Sequence, residues 1–252
     1  MDAPHPEELR QFAVEIALGA GQIIKRGFGT HFKIESKDGK HDLLTEYDLK
    51  SECFLLDAIR KKYPLHTTHS EEEGASEHVP GQVRWILDPI DGTVNYAHNI
   101  PIYAVNVAAS LNWKILCAAT YNPQMDELFY ASLGSGAYFQ ERRITVSETG
   151  KIDKAIFATG FPYNVSDNPN HCFERLTRIL QMGLPIRRMG SAAIDLAYVA
   201  AGRFDGFWEV TLNPWDYAPG AHIIEEAGGK ITQIDGSPLD YTSKLPIVAS
   251  NG

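Results

Sequence analysis

The chain has 252 residues and sets 23 lysines and arginines against 32 aspartates and glutamates, a formal charge of −9. A chain of this length buries about 70–75% of the surface its unfolded form exposes, so it can fold without disulfides or a structural metal. Its 44% hydrophobic and 22% charged residues exclude a disordered chain, and the acidic surplus argues against a nucleic-acid groove or an anionic membrane as default partner, both of which recruit Lys and Arg clusters. Cys53, Cys117 and Cys172 are odd in number and widely spaced, which reads as buried free thiols in a reducing compartment. Met1 to Arg10 is polar, without the apolar stretch of a leader, and no apolar run approaches the roughly 18 residues of a membrane span. Together these features predict a cytoplasmic protein.

In chain order, Ile16, Ala17, Ala20, Ile23, Ile24 and Phe28 recur at helical spacing behind Pro6-Glu7-Glu8, predicting a helix over 6–26. A second helix is expected over Leu49 to Tyr63, with Cys53, Leu56 and Ile59 on one face. Five strands then follow: Val83 to Leu87, Ala104 to Leu111, Lys114 to Tyr121, Glu127 to Ala131 and Ala137 to Phe139. The short turns between them imply an antiparallel sheet. From Lys154 strands (Ala155 to Thr159, Phe204 to Trp208, Ile231 to Ile234) alternate with helices (Cys172 to Met182, Ser191 to Ala201, Asp216 to Ala227). The expectation is one compact α/β unit of two lobes, residues 1–150 and 151–252, with a cleft near residue 150.

The most informative segment is Trp85-Ile86-Leu87-Asp88-Pro89-Ile90-Asp91-Gly92-Thr93-Val94-Asn95-Tyr96. A strand runs into Asp88, Pro89 is expected to end its ladder, and Asp91-Gly92-Thr93 suits the opening of a helix whose free amides could hold a phosphate. Asp-Pro and Asp-Gly are also ordinary turn dipeptides, and Asp216 reads equally as the N-cap of its helix. Other acids sit in similar contexts: Glu71-Glu72-Glu73 before the strand, Asp42-x-x-Thr45-x-x-Asp48 earlier and Trp215-Asp216 later. If Glu71, Asp88, Asp91 and Asp216 converge, repulsion of about 4 kcal/mol per pair at 4 Å and an effective dielectric of 20 forbids full ionisation without cations. Oxygen donors without a His or Cys cluster favour Mg²⁺ over zinc, and Mg²⁺ commonly serves phosphate chemistry.

These motifs, in this order and joined by Arg188-Met189-Gly190-Ser191-Ala192-Ala193-Ile194-Asp195-Leu196, Gly202 to Glu209 and Glu226-Ala227-Gly228-Gly229, resemble the signatures of the inositol monophosphatase family over essentially the whole chain. Departures are small: Tyr96 replaces Phe, Ser70 precedes the acidic pair, and Pro219 replaces Ala at a position read as the first turn of its helix. The resemblance implies an α/β (α+β) fold, a layered αβαβα sandwich, usually dimeric, that hydrolyses phosphate monoesters with two or three Mg²⁺ and without a phosphoenzyme. Position by position it implies metal ligation by Glu71, Asp88, the carbonyl of Ile90, Asp91 and Asp216. It implies catalytic roles for Glu71, Thr93 and Asp48, which orient the attacking water. Substrate contacts are implied for Asp91, Gly92, Thr93, Gly190, Ser191, Ala192, Glu209 and Asp216, although Glu209 also reads as a solvated strand-end acid; Lys37 reads either as reaching the phosphate or as a mobile surface lysine. Inositol monophosphate is the substrate implied first, with fructose 1,6-bisphosphate or histidinol phosphate as alternatives and Li⁺ as inhibitor. A regulator contacting RNA or the transcription machinery is the non-enzymatic alternative.

Overall fold

The computed structural model describes residues 5–37 and 42–252. Helix α1 (Pro6–Gly27) has proline in its first turn with Glu7 and Glu8, carries Lys25 and Arg26 in its last, and buries Leu9, Phe12, Ile16, Ala20 and Ile24 on one face. Strands β1 (Ile34–Ser36) and β2 (Leu43–Thr45) make a small antiparallel ribbon that leads into α2 (Glu46–Lys62). Next come β3 (Thr67–Ser70), β4 (Gly74–Ala75), β5 (Val83–Asp91), a single-turn α3 (Thr93–Ala97), β6 (Ala104–Leu111), β7 (Lys114–Asn122), β8 (Glu127–Ser132), β9 (Gly136–Phe139) and β10 (Arg142–Ile144). The remainder comprises β11 (Phe157–Thr159), α4 (Cys172–Gln181), β12 (Ile186–Arg187), α5 (Ala192–Ala200), β13 (Gly206–Leu212), α6 (Pro214–Glu226), β14 (Lys230–Gln233) and β15 (Leu245–Ser250).

The first large sheet has the order β10-β9-β8-β7-β6-β5-β3-β4 and is antiparallel except where β3 runs parallel to β5. The second has the order β12-β11-β13-β15-β14, with β11 parallel to both of its neighbours. Alternation along β5–β7 sends Trp85, Leu87, Val105, Val107 and Tyr121 to one face, where they pack against α1 and α2. It sends Ile86, Ala104, Ala108 and Ala118 to the other, where they meet α5, α6 and, beyond them, Phe207, Ile231 and Ile247 of the second sheet. Helix α4 lies over the far side of that sheet, where Ile179 shares a cavity wall with Phe157, Trp208 and Val248. The layers therefore read α, β, α, β, α, as the family resemblance implies.

Several local expectations are corrected. Helix α2 starts at Glu46, ahead of Leu49, because Thr45 and Asp48 form a reciprocal capping box. Its buried face is Ser51, Glu52, Leu55, Leu56 and Ile59; Cys53 is exposed, so only Cys117 and Cys172 are buried thiols. Pro89 does not end β5, since one extra residue between Asp88 and Asp91 makes a bulge that absorbs the missing amide before pairing resumes at Asp91–Ala104. Asp216 is the third residue of α6 and accepts a hydrogen bond from the Asn213 amide, so it is not the N-cap. Pro219 lies in the helix interior, beyond the first turn. Its missing N–H would have served the carbonyl of Trp215 four residues back; Asn106 Nδ2, donating from β6 at 3.1 Å, takes that place.

Candidate active site

The site forms where the ends of β5, α5 and α6 meet. Carboxylate oxygens of Asp88, Asp91 and Asp216 all lie within 4.8 Å of one another. The bulge in β5 is what allows Asp88 and Asp91 to turn to the same side, and the Asn106 amide, which also donates to the Asp216 carbonyl at 3.3 Å, fixes the start of α6 against the sheet. Asp91 is held from the opposite layer: Ser191 Oγ, capping α5, donates to its Oδ2, and the Ala193 amide does so at 3.0 Å. The Ile90 amide donates to Asp88 Oδ1 at 3.0 Å.

These acids carry an uncompensated burden. Burial, then the neighbouring charges of Glu71, Asp91 and Asp216, raise Asp88 well above the ordinary carboxylate range. Burial and the charges of Asp91 and Glu71 do the same to Asp216, and burial lifts Asp91 to about 6 against the opposing donors of α5. Three oxygen donors that repel one another, two buried and the one from Asp216 half-buried, with no His or Cys in the cluster, fit a hard cation such as Mg²⁺.

Glu71 follows β3 and stands outside the tight trio but couples to Asp88; burial raises it, and Lys37 opposes the rise. Lys37 Nζ lies 3.0 Å from Glu71 Oε1 and also pairs with Glu72. Its expectation as a free surface side chain is therefore corrected: although burial works against its charge, the two glutamates hold the ammonium above its usual range. Thr93 Oγ1 lies 3.2 Å from Asp48 Oδ1 and 2.9 Å from the Ile90 carbonyl, so its single proton can go to one of them while the oxygen stays fixed. Burial lifts Asp48 to about 6 despite its bonds from Thr45.

Gly92 joins β5 to α3 in the left-handed region, at φ +88°, and a Cβ there would come within 3.1 Å of the Gly190 and Ile102 carbonyls. Gly190 and Ala192 are thereby brought beside Gly92 and Asp91, and Asn95 Nδ2 ties the same loops together by donating to Ile102 O at 2.7 Å and Met189 O at 2.9 Å. Glu209 on β13 is buried and is raised well above its ordinary value by burial and then by Asp216 and Asp91. Its carboxylate rests on Gly160, where any Cβ would fall 2.0 Å from Oε2. The sequence reading missed the side-chain role of Ser191, the tether from Asn106 and the pairing of Lys37. It gave no role to Asp195, part of the Arg188 to Leu196 motif and a buried α5 carboxylate whose Oδ1 has no partner among the described residues.

Residues 5–252 match the family model described as the inositol monophosphatase family. An inositol-1-monophosphatase of Caulobacter vibrioides is 40% identical over 241 residues, 94% of this chain and 94% of that protein. The Nus factor SuhB of Escherichia coli K12 is 38% identical over 248 residues, 98% and 92% of the two chains. The solved inositol monophosphatase of Anabaena (Nostoc) superposes with a TM-score of 0.87 at 35% identity, covering 98% of this chain and 91% of that one. A fold, an acidic site and a full-length match agree: the chain belongs to the inositol monophosphatase family.

Proposed function

We propose that the protein is a Mg²⁺-dependent phosphate monoester hydrolase acting best on an inositol monophosphate. The observation that carries this reading is the convergence of Asp88, Asp91 and Asp216, which repel one another too strongly to be ionised together without a cation. Those three, with Glu71 and the Ile90 carbonyl, would hold two or three Mg²⁺. Bound Mg²⁺ supplies Lewis-acid polarisation of the phosphate and neutralises charge that develops during displacement.

The chain's own residues do the rest. Thr93, braced by Asp48, and Glu71 orient the attacking water, and the Glu71 carboxylate receives its proton. The backbone of Gly92, Gly190, Ser191 and Ala192 lines the phosphate and ring pocket, and Glu209 accepts hydroxyl hydrogens from the polyol. Asp91 and Asp216 close the side nearest the leaving oxygen. The same reading takes residues 1–150 and 151–252 as the two lobes, a homodimer as the assembly, the cytoplasm as the location and Li⁺ as an inhibitor.

The test compares kcat/KM for inositol 1-phosphate, fructose 1,6-bisphosphate and histidinol phosphate with Mg²⁺ and with chelator. Inositol 1-phosphate should lead, chelator should abolish turnover, and Asp91→Asn should cost about 10²–10³-fold in kcat, the scale of losing one transition-state-stabilising group. An Asp91→Asn enzyme with normal turnover would sink the mechanism.

The Nus factor relative, matched over 98% of this chain, favours a second reading, a regulator that contacts the transcription machinery. Rescue of a deletion phenotype by Asp91→Asn would support it.

A further inference from the structure

We propose that a second pocket, at the C-terminal end of α6 and apart from the carboxylate trio, binds a zwitterionic small molecule: an α-amino acid with an apolar side chain. The cavity has a volume of about 550 Å³, within the range of small-ligand sites. Its wall includes His222 and Glu225 from α6, Lys114 at the start of β7, Lys230 at the start of β14, and the apolar surfaces of Trp113 and Leu239.

Two observations point to a ligand. His222 is 2% exposed and its Nε2 has no hydrogen-bond partner among the described residues. Lys114, Lys230 and Glu225 enter no ion pair among the described residues. The neighbouring Glu226 is already engaged, accepting from the Gly134 and Gly136 amides at 2.7 Å each.

The polar groups are segregated. Acceptors stand on the helix, and cations stand on the two strands that flank it. A simple anion would meet Glu225 and Glu226, and a simple cation would meet both lysines; a zwitterion meets neither problem. Its ammonium would donate to Glu225 and, with the imidazole proton on Nδ1, to His222 Nε2. Its carboxylate would face Lys114 and Lys230, leaving the side chain against Trp113 and Leu239. Burial keeps the His222 imidazole neutral, with a pKa lowered to about 4, as an acceptor requires.

The experiment titrates the full-length protein with L-phenylalanine and L-leucine by calorimetry, following the Trp113 indole by NMR. The controls are 3-phenylpropionate and phenethylamine, each lacking one charge. Saturable binding is expected for at least one amino acid, with each control weaker by about tenfold or more. Lys230→Gln and Glu225→Gln, both at exposed positions, should weaken binding by a similar factor and leave basal hydrolysis of inositol 1-phosphate unchanged. The proposal is overturned by the absence of saturable binding, by equal affinity for the singly charged controls, or by affinity unchanged in both variants. Displacement of the amino acid by inorganic phosphate with Mg²⁺ would place it at the carboxylate trio instead, which also overturns the proposal.

Discussion

The two faces of the eight-stranded sheet are built from the same strands and differ in kind. The outer face carries bulk: Trp85, Leu87, Val107 and Tyr121 against Phe12, Ile16 and Leu55. The inner face carries a row in register across five strands that is alanine on four of them, Ile86–Ala108–Ala118–Ala131–Ala137. The next row on that face is Asp88–Asn106–Thr120, continuing to Phe129 and Phe139. Large side chains on one side supply burial. Small ones on the other let α5 and α6 approach closely, so that Ser191 and Asp216 reach acids on the sheet. One face stabilises the molecule, and the other sets the spacing of its site.

Breaking that division should have graded effects. Trp85→Ala, on the outer face, should cost about 3–5 kcal/mol of stability in urea unfolding, with turnover per folded molecule intact; a lower kcat in the folded fraction would contradict the division. His222, inside α6, is neutral when folded, with a pKa of about 4, against an unfolded value near 6.5. The unfolded chain therefore binds the extra proton first as pH falls. The stability His222 contributes is full above about pH 6.5 and is lost toward pH 4, a swing of about 3 kcal/mol. His222→Gln should remove that part of the slope between urea midpoints measured at the two ends of the window. Ala108→Leu, on the inner face, should cost about 1–3 kcal/mol by overpacking yet lower kcat disproportionately by pushing α6 away. Asn106→Ala should cost about 1–2 kcal/mol by stranding the Trp215 carbonyl, with weaker Mg²⁺ activation as its functional signature.

Much of this was legible beforehand. Short apolar runs parted by turn residues announced β5 to β9, helical spacing announced α1, and the acids at 71, 88, 91 and 216 were singled out from their positions at element ends. What escaped depends on distant partners. Strands β3 and β15 make sense only once paired: β3 parallel to β5, β15 between β13 and β14. Cys53 sits among apolar neighbours in sequence, yet the capping box starts α2 at Glu46 and the helix turns the thiol outward. Lys37 reads as a surface residue because nothing local reveals two glutamates more than thirty positions away. The bulge at Pro89 was missed for the opposite reason: proline locally argues for a stop, and only the partner strand shows pairing resume.

Pro219 has a further consequence. By leaving a single carbonyl of α6 without its intrahelical amide, it gives the helix one distinguishable docking point, and Asn106 is the key that fits it. A helix with every internal bond made could slide or rotate on an alanine surface at little cost; this one has a preferred register and azimuth, and Asp216 inherits both. The two residues then behave as one instruction written in distant parts of the chain. In a Pro219→Ala background the helix would bond to itself, the amide of Asn106 would become redundant, and the penalty for Asn106→Ala should shrink accordingly.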